Sequence, residues 1–257
     1  MVLVVSCAQP DDRAVGELNH YQIDLTISPI EQFIQTSVDL LFIAPSDSLG
    51  TLTFGLHKQL VLDMVTGNQL VDYQFDTTKT YPFQYMPEAR LLSLHFDPPL
   101  KIGQRIVITF QYSGKITDWP QWLANIVTDE WVEMGLYLPW FPYNHDYGDF
   151  TFKVDVECDS GYQVRSLGDY TKTDAVWHFE WKNPINDIVI VASRELKTFE
   201  ANRDKYNVNI HYTTVSDSIA NRLAEDLPKN TFEDCSKLLG ELKQMDYLIG
   251  ESLKSKF

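Results

Sequence analysis

Tyr21, Ile23, Leu25 and Ile27 alternate with Gln22, Asp24 and Thr26, a period of two that puts apolar side chains on one face of a strand and polar ones on the other. Phe150, Phe152, Val154 and Val156 alternate in the same way with Thr151, Lys153 and Asp155. Ile106, Ile108 and Phe110 face a less polar set, Val107, Thr109 and Gln111, so that strand is expected to be buried on both faces. Turn clusters punctuate these runs at Pro45–Gly50, Gly67-Asn68, Asp97–Pro99 and Asp159–Gly161. Together they predict a mainly β fold, an antiparallel saddle- or sandwich-like domain over residues 19–214. Beyond it the period changes: Ile219, Leu223 and Leu227, then Cys235, Leu238, Leu239 and Leu242, recur at helical spacing. A helical segment is expected over 215–257, interrupted at Pro228 and capped again by Thr231 and Asp234. Residues 1–18 read as an apolar start followed by a polar tether.

One stretch breaks the alternation. From Leu138 to Tyr143 the chain carries Pro139 and Pro142 among Trp140, Phe141 and Tyr143. Each proline fixes φ and removes a backbone donor, so this stretch cannot run through the middle of a sheet or helix and must be a shaped loop at a sheet end. Trp119, Trp122 and Trp131 lie just upstream. Such an aromatic window can line a peptide or glycan cleft, or form an apolar seam against a partner domain; the seam is favoured, because the helical tail also needs an apolar surface to rest on.

With 257 residues and 44% hydrophobic content, the chain is long enough to build one large core or two small ones. A net charge of −15 without a Lys/Arg cluster repels phosphate backbones, which argues against nucleic-acid partners. Cys7, Cys158 and Cys235 have neither zinc-site spacing nor an even count. Cys7 has two readings. Val4-Val5-Ser6-Cys7 resembles the end of a lipoprotein signal, which would place a lipid anchor on Cys7 and the protein in the cell envelope or periplasm; an ordinary apolar start would leave it cytoplasmic.

The six histidines are well separated along the chain, and no His-Glu-x-x-His pair sits on a helix. Asp146 and Asp149 follow His145 closely enough to be weighed as metal ligands, but a solvated loop is the preferred reading, because adjacent residues point different ways. Two glutamates closely precede the proline loop, Glu130 and Glu133.

The stretch from Glu133 through Phe141-Pro142 into the alternating strand at Phe150–Val156 resembles the amino-terminal domain of the gluzincin zinc aminopeptidases, the aminopeptidase N and leukotriene hydrolase group. Phe141-Pro142 matches the family pattern; Tyr143 stands where the family has Cys, and Asn144-His145-Asp146-Tyr147 replaces its Asp-Glu-Pro run. Residues 20–45 resemble the family's opening hairpin, 92–114 a later strand pair, and 177–193 continue the match. The resemblance implies a β domain that positions peptide amino termini and is inactive alone, with zinc bound only in a catalytic domain that follows it. It also implies that an acid nine residues before the Phe-Pro proline holds the substrate's free amine. Counting back from Pro142 gives Glu133, and from Pro139 gives Glu130; a carboxylate suits that contact because charge-assisted hydrogen bonds are the strong ones. The competing expectation is a non-catalytic β-sandwich that binds peptide, glycan or protein through the aromatic window.

Overall fold

The computed structural model describes residues 18–120, 125–147, 149–168, 170–203 and 206–213. Cys7, Cys235 and the helical segment expected over 215–257 lie outside these residues. In chain order the strands of the first unit are β1 (Asn19–Ser28), β2 (Phe33–Ile43), β3 (Leu49–His57), β4 (Val61–Gly67), β5 (Leu70–Thr80), β6 (Ala89–Leu100) and β7 (Arg105–Lys115). They continue as β8 (Ile126–Val127), β9 (Val132–Met134), β10 (Phe150–Cys158), β11 (Gln163–Arg165), β12 (Tyr170–Thr173), β13 (Val176–Ile185) and β14 (Ile190–Ser193). No helix is present among the described residues, so the mainly β expectation holds.

A seven-stranded sheet runs in the order β12-β13-β10-β1-β2-β7-β4. It is antiparallel except between β1 and β10, which pair in parallel from Asn19 opposite Phe150 to Ile27 opposite Cys158. The two cleanest alternating runs in the sequence are thus neighbours: Tyr21 and Ile23 bury the same face as Phe152 and Val154. A three-stranded sheet, β3-β6-β5, contributes to the same core. Leu52, Phe54 and Leu56 of β3 are buried with Leu92, Leu94 and Phe96 of β6, and the Phe54 ring meets Phe110 of β7 edge to face at 5.5 Å. The expected strand pair over 92–114 is therefore split, with β6 in the small sheet and β7 in the large one.

β7 corrects a second expectation. Ile106, Ile108, Phe110 and Tyr112 point into the core, while Val107 is 49% exposed. Only one face of this strand is buried. A single apolar residue on the solvent face is ordinary in a folded protein and does not require a second layer.

A four-stranded sheet, β11-β14-β9-β8, carries the segment before the proline loop. A second compact unit begins at Leu196; its described part is the antiparallel hairpin of β15 (Leu196–Arg203) and β16 (Tyr206–Thr213), paired from Leu196 opposite Thr213 to Arg203 opposite Tyr206.

Candidate functional site

The proline loop lies along the free edge of β3. The Gly55 amide donates to the Tyr143 carbonyl at 2.8 Å, the Tyr143 amide returns the bond to Gly55 at 3.1 Å, and His57 N–H donates to the Pro139 carbonyl at 2.8 Å. Prolines leave the loop too few donors for a regular ladder. Its unpaired carbonyls are met instead by side chains of the large sheet: Tyr112 Oη donates to Trp140 O at 3.0 Å and Tyr21 Oη to Pro142 O at 2.8 Å. Burial holds both phenols neutral by raising their pKa well above the usual value.

Gly55 is required where the loop docks. A Cβ there would come within 2.7 and 2.9 Å of two Tyr81 ring carbons. Tyr81 in turn reaches the end of the loop, with its hydroxyl 2.9 Å from His145 Nδ1 and accepting from the His145 amide at 3.1 Å. Trp140, Phe141 and Tyr143 are all buried within this domain. They are core side chains rather than the wall of an open cleft or a seam awaiting a partner. Trp119 is partly buried against the same core, and Trp122 lies outside the described residues.

His145 stacks on Phe83 at 5.0 Å between centroids and its Nε2 lies 3.1 Å from Asp146 Oδ1. His57 is sealed in the core, where burial lowers its pKa to about 4; its Nε2–H donates to Asp118 O at 2.9 Å and its Nδ1 accepts from the Gln59 amide at 3.3 Å. Both rings are engaged in holding loops. Among the described residues, no three His, Cys, Asp or Glu side chains converge as metal ligands.

The two acids come apart in space. β8 and β9 form a short hairpin whose turn is closed by bonds between Thr128 and Trp131: the Thr128 amide and hydroxyl both donate to Trp131 O at 2.9 Å. Glu130 sits on that turn with its side chain exposed. Its backbone carbonyl accepts from Ser193 Oγ at 2.9 Å, and the neighbouring Asp129 carbonyl accepts from Tyr162 Oη at 2.6 Å. Glu133 occupies the middle of β9, opposite Ile126 and Val191, and is only 6% exposed. Successive strand residues face opposite ways. Val132 and Met134 therefore fill the core, while the Glu133 carboxylate lies on the other face. There Asn125 Nδ2 donates to Oε1 at 3.3 Å and Trp131 Nε1 to Oε2 at 3.2 Å. Asn125 is itself buried, and these neutral donors offset part of the cost of drawing a charge out of water.

A second acid, not singled out by the sequence, stands beside this one. Asp187 lies in the short link between β13 and β14. Its Oδ2 lies 3.2 Å from the point where Gly135 would carry a Cβ, and Asn125 Nδ2 lies 3.7 Å from the same point. A glycine after β9 is what makes room for the carboxyl. Asp187 Oδ1 is closed off from solvent and has no hydrogen-bond partner. Burial pushes this carboxyl up to about 7; hydrogen bonds from the Leu136 and Ile188 amides pull the other way, and the Glu133 charge adds to the rise. Although part of the residue reaches the surface, its Oδ1 does not. Tyr143, from the loop, is raised to about 12 by burial first and by Asp187 and Asp149 next. An Asn-Asp pair in a polar link between strands reads in sequence as a turn, so only the register between β9 and β14 brings Asp187 to Glu133.

No family model and no curated protein matches the chain. Solved structures do. An M1 zinc metallopeptidase from Deinococcus radiodurans superposes with a TM-score of 0.55 at 16% identity, covering 72% of this chain and 43% of that one. Native leukotriene A4 hydrolase from yeast superposes with a TM-score of 0.57 at 16% identity, covering 82% of this chain and 34% of that one. A mutant of the Deinococcus enzyme bound to a Tyr-Ser-Ala substrate is similar over 80% of this chain and 52% of its own length, with a TM-score of 0.53 at 16% identity. The chain thus spans about half or less of the length of each of these proteins, and within that span it has the fold they share, the fold its resemblance to the zinc aminopeptidases implies.

Proposed function

We propose that this chain is the substrate-positioning, amino-terminal β domain of a zinc-dependent aminopeptidase-like protein, in which Glu133 receives the free amino group of a peptide. The observation that carries this reading is the placement of Glu133: of the two glutamates ahead of the proline loop, it alone is buried in a strand with its carboxylate oriented by Asn125 and Trp131. A carboxylate held in place is prepared to meet an ammonium without first losing rotamer freedom. Glu130, exposed on its turn, lacks that preparation.

The role is anchoring, with no proton transfer to the scissile bond. The zinc and the water it activates belong, on this reading, to a catalytic domain that follows in the parent polypeptide, and the isolated chain is inactive. Similarity to a solved metallopeptidase holding a tripeptide, over about half of that enzyme's length, supports the assignment. The alternative of a free-standing binding module is less well supported, because Trp140, Phe141 and Tyr143, which it would need at the surface, are buried.

Glu133→Ala in the parent protein is expected to lower kcat/KM for aminoacyl substrates roughly ten- to a hundredfold, the effect of losing one charge-assisted contact. Glu130→Ala is expected to leave it unchanged. Loss in Glu130→Ala with full activity in Glu133→Ala moves the anchor to the turn. Full activity in both removes it and leaves the binding module ahead.

A further inference from the structure

We propose that Asp187 is the second acid of this anchor: it holds a proton while the site is empty and releases it to bulk water when a primary ammonium is seated at Glu133. The inference rests on the anchor reading above and adds to it how the site tells a cationic amine from a blocked, neutral one.

The geometry is the starting point. Gly135 leaves a space that Asp187 Oδ2 enters to 3.2 Å, beside the Asn125 amide that also binds Glu133. Asp187 Oδ1 is buried with no hydrogen-bond partner, an arrangement costly for an ionised carboxylate. The titratable groups that act on it are Glu133 from β9 and Tyr143 from the proline loop. Tyr143, raised to about 12, is neutral at physiological pH. The other groups turned toward Asp187 are uncharged, the Leu136 and Ile188 amides, and no cation is among the influences on it. Two acids drawn out of water beside each other cannot both carry full charge cheaply, so one keeps its proton. Asp187 is the one raised, to about 7.

An ammonium changes the balance. Placed at Glu133, it favours ionisation of the neighbouring carboxyl, and the Asp187 proton leaves to solvent. The site then carries two negative charges against the ligand's positive one. By linkage, amine affinity should rise with pH through the Asp187 titration, until the ligand amine itself begins to deprotonate near pH 8. A neutral amide in the same place gains nothing from this exchange. Asp187 is a positioning residue in this account; Glu133 makes the contact.

The test uses the 257-residue chain with leucinamide as probe and N-acetyl-leucinamide as the blocked control. Binding is measured by calorimetry between pH 5.5 and 7.5 in buffers of differing ionisation enthalpy, which reports protons released. The wild type should tighten on the order of tenfold across this range and release a fraction of a proton per leucinamide. Asp187→Asn should bind leucinamide with little pH dependence and no release. Glu133→Gln should bind weakly throughout. If Asp187→Asn keeps the wild-type pH dependence and proton release while Glu133→Gln loses binding, the proposal is overturned and the anchor stands. If wild type and Glu133→Gln bind alike, or neither binds, the anchor fails and the proposal falls with it. A carboxyl NMR titration decides independently of any ligand: Asp187 ionising in the ordinary carboxylate range in the empty chain overturns the proposal.

Discussion

The proline loop and the acid pair solve the problem of buried polarity in opposite ways. In the loop, Tyr112 and Tyr21 satisfy the carbonyls of Trp140 and Pro142, and Gly55 and His57 pair with Tyr143 and Pro139. In the link between β13 and β14, Asp187 keeps one oxygen without a partner and shares its surroundings with a second carboxylate, that of Glu133. Satisfied polarity of the first kind fixes a shape. Unsatisfied charge of the second kind costs stability, and perturbed acids of this sort gather where a protein meets a ligand.

Substitutions can break or sharpen the contrast. The largest effect is expected from Asp187→Asn, which keeps an oxygen for the Leu136 and Ile188 amides and removes the charge. Asp187 has a folded pKa raised from 3.8 to about 7. Its protonated form is therefore favoured by folding, and the wild type loses stability as pH rises from about 4 to 7. Asp187→Asn does not titrate and should escape that loss, gaining on the order of 4 kcal/mol at pH 7.5 and nothing below pH 4. Denaturant unfolding at the two pH values measures it; equal stability of the variant and the wild type at pH 7.5 would mean the acid pair is relaxed.

Gly55→Ala tests the loop side. Its new Cβ would press on the body of the Tyr81 ring, at 2.7 Å from the nearest carbon. A loss of about 3 kcal/mol is expected from overpacking at this docking point. A fully stable variant would show that the ring can step aside. Tyr112→Phe leaves the buried Trp140 carbonyl without its donor and should cost about 1–2 kcal/mol at any pH between 5 and 8. That flat profile contrasts with Asp187→Asn, and a pH-dependent loss would tie the loop to the acids. The smallest effect belongs to Glu130→Ala, within about 0.5 kcal/mol, because the turn is held through its backbone carbonyl and its side chain is exposed. A larger drop in melting temperature than this implies would give the Glu130 carboxylate a structural role.

Alternation of apolar and polar residues by itself marked the clearest strands, because a period of two is imposed by backbone geometry: β1 and β10 could be read off directly, as could the shaped loop forced by Pro139 and Pro142. Counting back nine residues, as the resemblance to the zinc aminopeptidases implies, leads to Glu133 from Pro142 and to Glu130 from Pro139. Tertiary structure alone decided the rest. The parallel pairing of β1 with β10 and the separation of β6 from β7 depend on which apolar faces meet, and periodicity is blind to partners. The different settings of Glu130 and Glu133 come from a tight hairpin that leaves one acid in water and buries the other. Asp187 carried no signal at all, since a turn aspartate is ordinary until the fold closes water away from it. Burial and the approach of a second charge are what shift a carboxyl, and both are properties of packing between distant segments, which no local pattern encodes.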